Sequence, residues 1–212
     1  PLENGISDKP FYNLEILTTT ACNMNCTYCF EGFKPKDKGI VNQNTEKYFE
    51  TIRNVQKEEW FQNEYSGILV TFWGGEPTVN SKIITDIIVE FNKFDNIKYY
   101  IYTNGFKTKN FKNFIDSLPE SALPKLQIQV SYDGYIVNDK YRLTHDKKTT
   151  GESVLETFKY LSTLPIDRLN FKQTLPIEEC KSMFETWKEF ERIHYEYIAA
   201  GSDVRVNELL IG

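Results

Sequence analysis

No apolar run in this 212-residue chain approaches the ~18 residues that a membrane-spanning helix needs, so no membrane is expected as a partner. The N-terminus, PLENGISDKP, has no basic-then-apolar layout, which argues against a secretion signal and for a cytoplasmic location. No block of like charge occurs, and the net charge of −5 argues against a nucleic-acid backbone as partner. Internal repeats, low-complexity stretches and linker-like segments are also missing. Histidine is scarce, with two residues, and cysteine little commoner, with four. Three of those cysteines fall within eight residues, and three cannot all pair. A metal site in a reducing compartment explains the grouping better than disulfides.

What is present fits a soluble globular protein, with 40% hydrophobic and 26% charged residues. The length suits a single domain over 1–212. Residue 1 is Pro rather than Met, so the chain reads as processed, cloned as a piece, or cut from something longer. Strand and helix patterns alternate along it. Residues 14–19, 67–73, 97–103, 126–131 and 169–175 read as strands, and 204–211 as a candidate sixth. Residues 45–61, 81–94, 111–117, 151–161 and 176–195 read as helices, with a loop over 20–40. Ile83, Ile84, Ile87, Ile88 and Phe91 mark one helix face as core, and Val154, Leu155, Phe158 and Leu161 mark another. This alternation predicts an α/β protein with a parallel sheet, either curled toward a barrel or doubly wound. Five or six units are too few for the full eight-stranded barrel.

The first four strands end in TTACNMNC, GGEP, TNG and SYDG. Loops at the carboxyl ends of parallel strands share one face, where α/β enzymes carry their sites. The four motifs are therefore expected around one cavity. In the first, the spacing Cys22-x3-Cys26-x2-Cys29 lets three thiolates wrap one inorganic core from a single loop. Three thiolates leave one iron of a [4Fe–4S] cube open, because a saturated cube takes four ligands. A zinc site completed by His145 or His194, and unligated core cysteines, remain as alternatives.

The CxxxCxxC spacing, with Tyr28 before the last cysteine, resembles the signature of the radical SAM enzymes. Gly74-Gly75-Glu76-Pro77 resembles that family's GGE(P) motif, Thr103-Asn104-Gly105 its TNG, and Ser131-Tyr132-Asp133-Gly134 its SxDG. Asn138-Asp139-Lys140-Tyr141-Arg142 resembles the HDxxR segment of one subgroup, with Asn138 in place of the His. That subgroup contains the anaerobic sulfatase maturases and peptide-modifying enzymes with a C-terminal cysteine-rich (SPASM) extension, which is absent here.

The resemblance implies a partial (β/α)6 TIM-like barrel and two cofactors, a [4Fe–4S] cluster on Cys22, Cys26 and Cys29, and S-adenosylmethionine (SAM). It implies that Tyr28, Gly74, Gly75, Glu76, Thr103, Asn104, Ser131, Asp133 and Arg142 contact SAM. The GGE loop would hold the amino group, Arg142 would form a fork on the carboxylate, and Ser131 and Asp133 would meet ribose or the methionine end. By position alone, Gln173 and Thr174 would lie near the adenosine, with Asn207 and Glu208 weaker candidates. The same residues admit blander roles: turn chemistry for Asn104-Gly105, a surface ion pair for Arg142, a structural place on a helix for Cys180. The implied reaction is reductive cleavage of SAM to a 5′-deoxyadenosyl radical, with flavodoxin or ferredoxin as electron donor. A peptide or protein side chain is the expected substrate, with a nucleotide- or pterin-like small molecule second, and a non-catalytic SAM- or cluster-binding module as the reading from another class.

Overall fold

A computed structural model of the chain describes residues 9–30, 44–198 and 209–210. Five strands build the sheet: β1 (Phe11–Thr19), β2 (Gly67–Gly74), β3 (Ile97–Thr103), β4 (Leu126–Ser131) and β5 (Arg168–Thr174). A two-residue β6, Leu209–Leu210, pairs with the end of β5. All neighbours are parallel and follow in chain order, β1-β2-β3-β4-β5-β6. Each strand must therefore be followed by a return across one face, which is how a β/α barrel grows. The architecture is α/β, a partial barrel of parallel strands. Most of the expected sixth strand, including Asn207 and Glu208, lies outside the described residues.

Period-two alternation decides which side each strand residue takes. Ile68, Val70 and Phe72, then Ile97, Tyr99 and Ile101, then Leu126, Ile128 and Val130, then Leu169 and Phe171 are buried in one core. Helices α1 (Thr45–Lys57), α3 (Ser81–Phe91), α4 (Thr108–Asp116), α6 (Gly151–Leu161) and α7 (Met183–Ile198) cover that side. The expected faces hold: Ile83, Ile84, Ile87, Ile88 and Phe91 are all buried, as are Val154, Phe158 and Leu161, with Leu155 half-buried.

Three expectations are corrected. The helix expected over 45–61 breaks at Glu58, whose extended ψ of 133° starts a second helix, α2 (Glu59–Glu64). The break turns Trp60 and Phe61 onto Tyr12, with ring centroids 5.3 and 6.4 Å away. The helix expected over 176–195 begins as a 3-10 turn, Ile177–Ser182, before α7. Cys180 sits exposed on that turn, so it packs no core. A short helix α5 (Asn138–Tyr141) follows β4 where none was expected.

The other side of the sheet is concave and carries a different chemistry. Tyr100 and Tyr102, Gln127, Gln129 and Ser131, and Asn170 and Lys172 alternate with the core residues. A closed eight-stranded barrel fills its interior with branched apolar side chains. Here Leu17 and Tyr102 are still 40% and 37% exposed, so this face is left partly open, with tyrosines and polar side chains along it.

On the core side, Phe171 stacks between Phe158, at 3.7 Å between centroids, and Phe190, at 5.4 Å. Phe171→Ala is expected to destabilise the fold by about 3–5 kcal/mol, read from urea unfolding by far-UV circular dichroism.

Candidate active site

Residues 20–30, the described part of the loop after β1, are anchored from three directions. Gly75 and Glu76 donate backbone N–H bonds to the carbonyls of Thr19 (2.8 Å) and Ala21 (2.9 Å). Asn25 and Thr27 donate theirs to Leu143 (2.7 Å) and Tyr141 (2.9 Å), the residues flanking Arg142. Asn104 donates through Nδ2 to Asn23 Oδ1 (2.8 Å) and lies 3.6 Å from the Cys22 sulfur. The His145 ring meets the Cys22 carbonyl at 3.0 Å. The backbone around the cysteines is thus fixed by partners from the ends of β2, β3 and β4.

The two glycines of GGEP serve this packing. A Cβ on Gly74, whose φ is +147°, would stand 2.1 Å from the Thr19 carbonyl oxygen, and one on Gly75 would stand 2.5 Å from that of Ala21. The space a side chain would take at both positions is filled by the cysteine loop, because only a residue without a side chain lets two backbones come this close. Glu76 also turns inward, at 1% exposure. Its Oε1 accepts from the Thr78 backbone N–H and hydroxyl (3.1 and 2.6 Å) and from Thr103 (2.9 Å), while Oε2 accepts from the Asn104 N–H (2.7 Å). Glu76 therefore ties GGEP to TNG, and one acceptor position on Oε2 stays open. Burial raises the Glu76 pKa, against the pull of those four bonds.

Tyr28 joins the cysteine loop to the SYDG turn and to Arg142 at once. Its hydroxyl donates to Asp133 and accepts from Arg142 Nη1 (3.0 Å). Asp133 is fully buried and also accepts the Thr174 N–H on Oδ1 (2.9 Å). Gln173 is buried too, and its Nε2 donates to the Asp133 carbonyl (2.9 Å), so it straps the SYDG turn from the core side. Asn138, standing where the resembled segment has His, accepts from the Asp133 N–H (3.5 Å) and donates to Asp139 (3.0 Å) and Thr150 (3.3 Å). Thr150 in turn donates to the Arg142 carbonyl (2.6 Å). Arg142 is 6% exposed, which rules out a surface ion pair, and its Nε is a buried donor with no partner among the described residues. Burial alone would lower the guanidinium pKa; Tyr28, Asp133 and Cys26 outweigh it and hold the charge.

The three thiols are half-buried and close enough to feel one another's charge. Burial pushes the Cys22 thiol up to about 11, and raises Cys26 against the opposing charge of Arg142. Iron must therefore displace protons on binding. Among the described residues no three His, Cys, Asp or Glu side chains converge on one shared metal ion.

Two features fit a [4Fe–4S] cluster with SAM beside it. Three thiols leave an iron open, and the orphaned Arg142 Nε points to an anionic ligand that the described residues do not supply. The model of the radical SAM superfamily matches residues 16–177. The chain belongs to that superfamily. Its cofactors are accordingly a [4Fe–4S] cluster and SAM. An uncharacterized protein of Methanocaldococcus jannaschii is 30% identical over 152 residues, 69% of this chain and 46% of that protein. The radical SAM cyclopropyl synthase TigE of Paramaledivibacter caminithermalis is 25% identical over 161 residues, 71% of this chain and 32% of that one. In fold, the chain superposes on anSMEcpe, solved with bound AdoMet and Cp18Cys peptide, with a TM-score of 0.63 at 18% identity, covering 88% of this chain and 49% of that one. The chain thus spans about half or less of the length of these proteins.

Cys22, Cys26 and Cys29, Tyr28, Gly74, Gly75, Glu76, Thr103, Asn104, Asp133 and Arg142 all meet at this radical SAM rim, and Ser131 stands just below it on the concave face. Sequence reasoning missed the clamp on Asn25 and Thr27, the place of His145, and the polar concave face of β5. Only the last left a signal, the alternation of Asn170 and Lys172 with Leu169 and Phe171. A hollow of 390 Å³ lies elsewhere, between the SYDG turn and α6, lined by Tyr132, Tyr135, Asp139 and Glu152 among others. Gly75→Ala is expected to cut iron retained per chain several-fold after anaerobic reconstitution, with far-UV circular dichroism unchanged; retention at the native level would show that the loop tolerates the displacement.

Proposed function

We propose that this chain is the core domain of a radical SAM enzyme that abstracts a hydrogen atom from a peptide or protein side chain. Bound together, the cluster and SAM supply one chemistry, reductive opening of the sulfonium to a 5′-deoxyadenosyl radical that removes a substrate hydrogen. The chain's own residues do the positioning. Cys22, Cys26 and Cys29 would hold three irons, leaving the fourth to SAM. Arg142 would turn its free Nε toward the SAM carboxylate, while Tyr28 and Asp133 keep the guanidinium charged and in place. The open acceptor position of Glu76 Oε2 suits the SAM ammonium. Thr103 and Asn104 act through Glu76 and Cys22 as positioning residues, and Ser131 faces the chamber where substrate would lie.

The peptide reading is carried by one observation. The segment from Ser131 to Arg142, which resembles that of the peptide-modifying subgroup, is hydrogen-bonded onto the cysteine loop through Tyr28. The described residues share one sheet and one core, which supports a single core domain. Among them no helix is long and apolar enough to cross a membrane. The electron would come from a flavodoxin or ferredoxin in a reducing compartment.

Anaerobic reconstitution should give about four irons per chain, and dithionite with SAM should release 5′-deoxyadenosine, detected by chromatography. Cys26→Ala should abolish both. SAM binding without cleavage would instead indicate a non-catalytic module, and one tightly held zinc would sink the reading. Arg142→Lys should weaken SAM binding by about 10–100-fold in equilibrium dialysis, since a point charge replaces a fork.

A further inference from the structure

The concave face carries a second orphaned polar atom. Asn170 is 5% exposed, and its Oδ1 has no hydrogen-bond partner among the described residues. Its Nδ2 donates 3.4 Å to the Phe171 carbonyl, and strand register places the residue beside Gln129 on the concave face. A buried acceptor left unmatched costs free energy unless something supplies a donor. Two residues on, Lys172 stands on the same face, opposite Ser131 in register. Its Nζ lies 5.9 Å from the ring centroid of Tyr102 on β3. Strands are about 4.8 Å apart, so the side chain reaches across β4 and hangs over Gln129. Among the described residues no carboxylate pairs with it. Leu17, Trp73, Tyr102, Gln129 and Asn170 form the layer below, and none is charged.

This pair lies directly beneath the site. Ser131 precedes Asp133 by two residues and Lys172 precedes Thr174 by two, and Asp133 and Thr174 are hydrogen-bonded to each other. One layer of a strand, about 6.6 Å, therefore separates Lys172 from the Tyr28–Asp133–Arg142 bridge.

We infer that Lys172 and Asn170 form the substrate-recognition subsite of the chamber, and that the substrate presents a carboxylate with a peptide N–H beside it, as an acidic residue in a peptide does. Lys172 takes the carboxylate, Asn170 Oδ1 accepts the N–H, and Tyr102 walls the subsite. A phosphate fits less well: it asks for several converging donors, whereas here a single ammonium stands beside an acceptor oxygen that would repel it. The inference rests on the peptide reading above and names the class of residue recognised.

The test uses the full chain with cluster and SAM bound. The probes are three fluorescein-labelled pools of pentapeptide amides with Gly, Ala and Ser around a central position. That position is Asp or Glu in the first pool, Asn or Gln in the second, and Lys or Arg in the third. Binding is read by fluorescence anisotropy without reductant, and turnover by 5′-deoxyadenosine release with dithionite. The acidic pool is expected to bind at least about ten-fold tighter than either other pool. Lys172→Gln should level the three pools, and Lys172→Glu should reverse their order. Asn170→Leu should weaken all pools while keeping the acidic one first. Iron content and circular dichroism report whether each variant has folded. Equal binding of the acidic and basic pools by the unaltered protein overturns the subsite and leaves the peptide reading standing. Binding of no pool, with 5′-deoxyadenosine release stimulated by GTP instead, overturns both.

Discussion

A buried carboxylate, a buried guanidinium and a phenol meet at one point, and the site is organised around that meeting. Asp133 and Arg142 would each be costly to bury alone. Tyr28 stands between them, giving its proton to one and its lone pair to the other. The charge of Arg142 is thereby matched on one side only. Its Nε keeps an unmet donor on the other, which is the condition for recognising an anion. Because Tyr28 belongs to the cysteine loop, the same contact fixes where the thiols stand relative to the SYDG turn.

Around that point the motifs act mainly on each other. GGEP contributes backbone N–H groups and the absence of two side chains, and these bring the cysteine loop within hydrogen-bond range of β2. TNG contributes a hydroxyl and an amide, spent on Glu76, Asn23 and Cys22. Asn138 links the Asp133 turn to the segment that carries Arg142. The motifs that mark the family in this chain therefore also hold one another in place.

The strand over 67–73 is legible in the sequence as an unbroken apolar run, but its core face is not, since Leu69 and Trp73 are as apolar as Ile68 and Phe72. The spacing of the cysteines and the clustering of polar motifs at strand ends are legible as well. The break at Glu58 is not, since a glutamate carries no local stop signal; the aromatic cluster around Tyr12 decides it. The inward turn of Glu76 escapes the sequence as well. A carboxylate reads the same whether its partners are a ligand or the neighbouring strand, and the difference lies in Thr103 and Asn104, 27 and 28 residues away.

The Tyr28–Arg142 hydrogen bond closes a loop of 114 residues. Closing so long a segment costs chain entropy, and the docking of β1 to β5 meets most of it because those strands already bring the two ends together. The cysteine loop thus takes its final shape from the packed strands. Iron that arrives earlier meets a flexible trio of thiols, whereas iron that arrives later meets a seat already cut to one form, which couples cofactor loading to completion of folding.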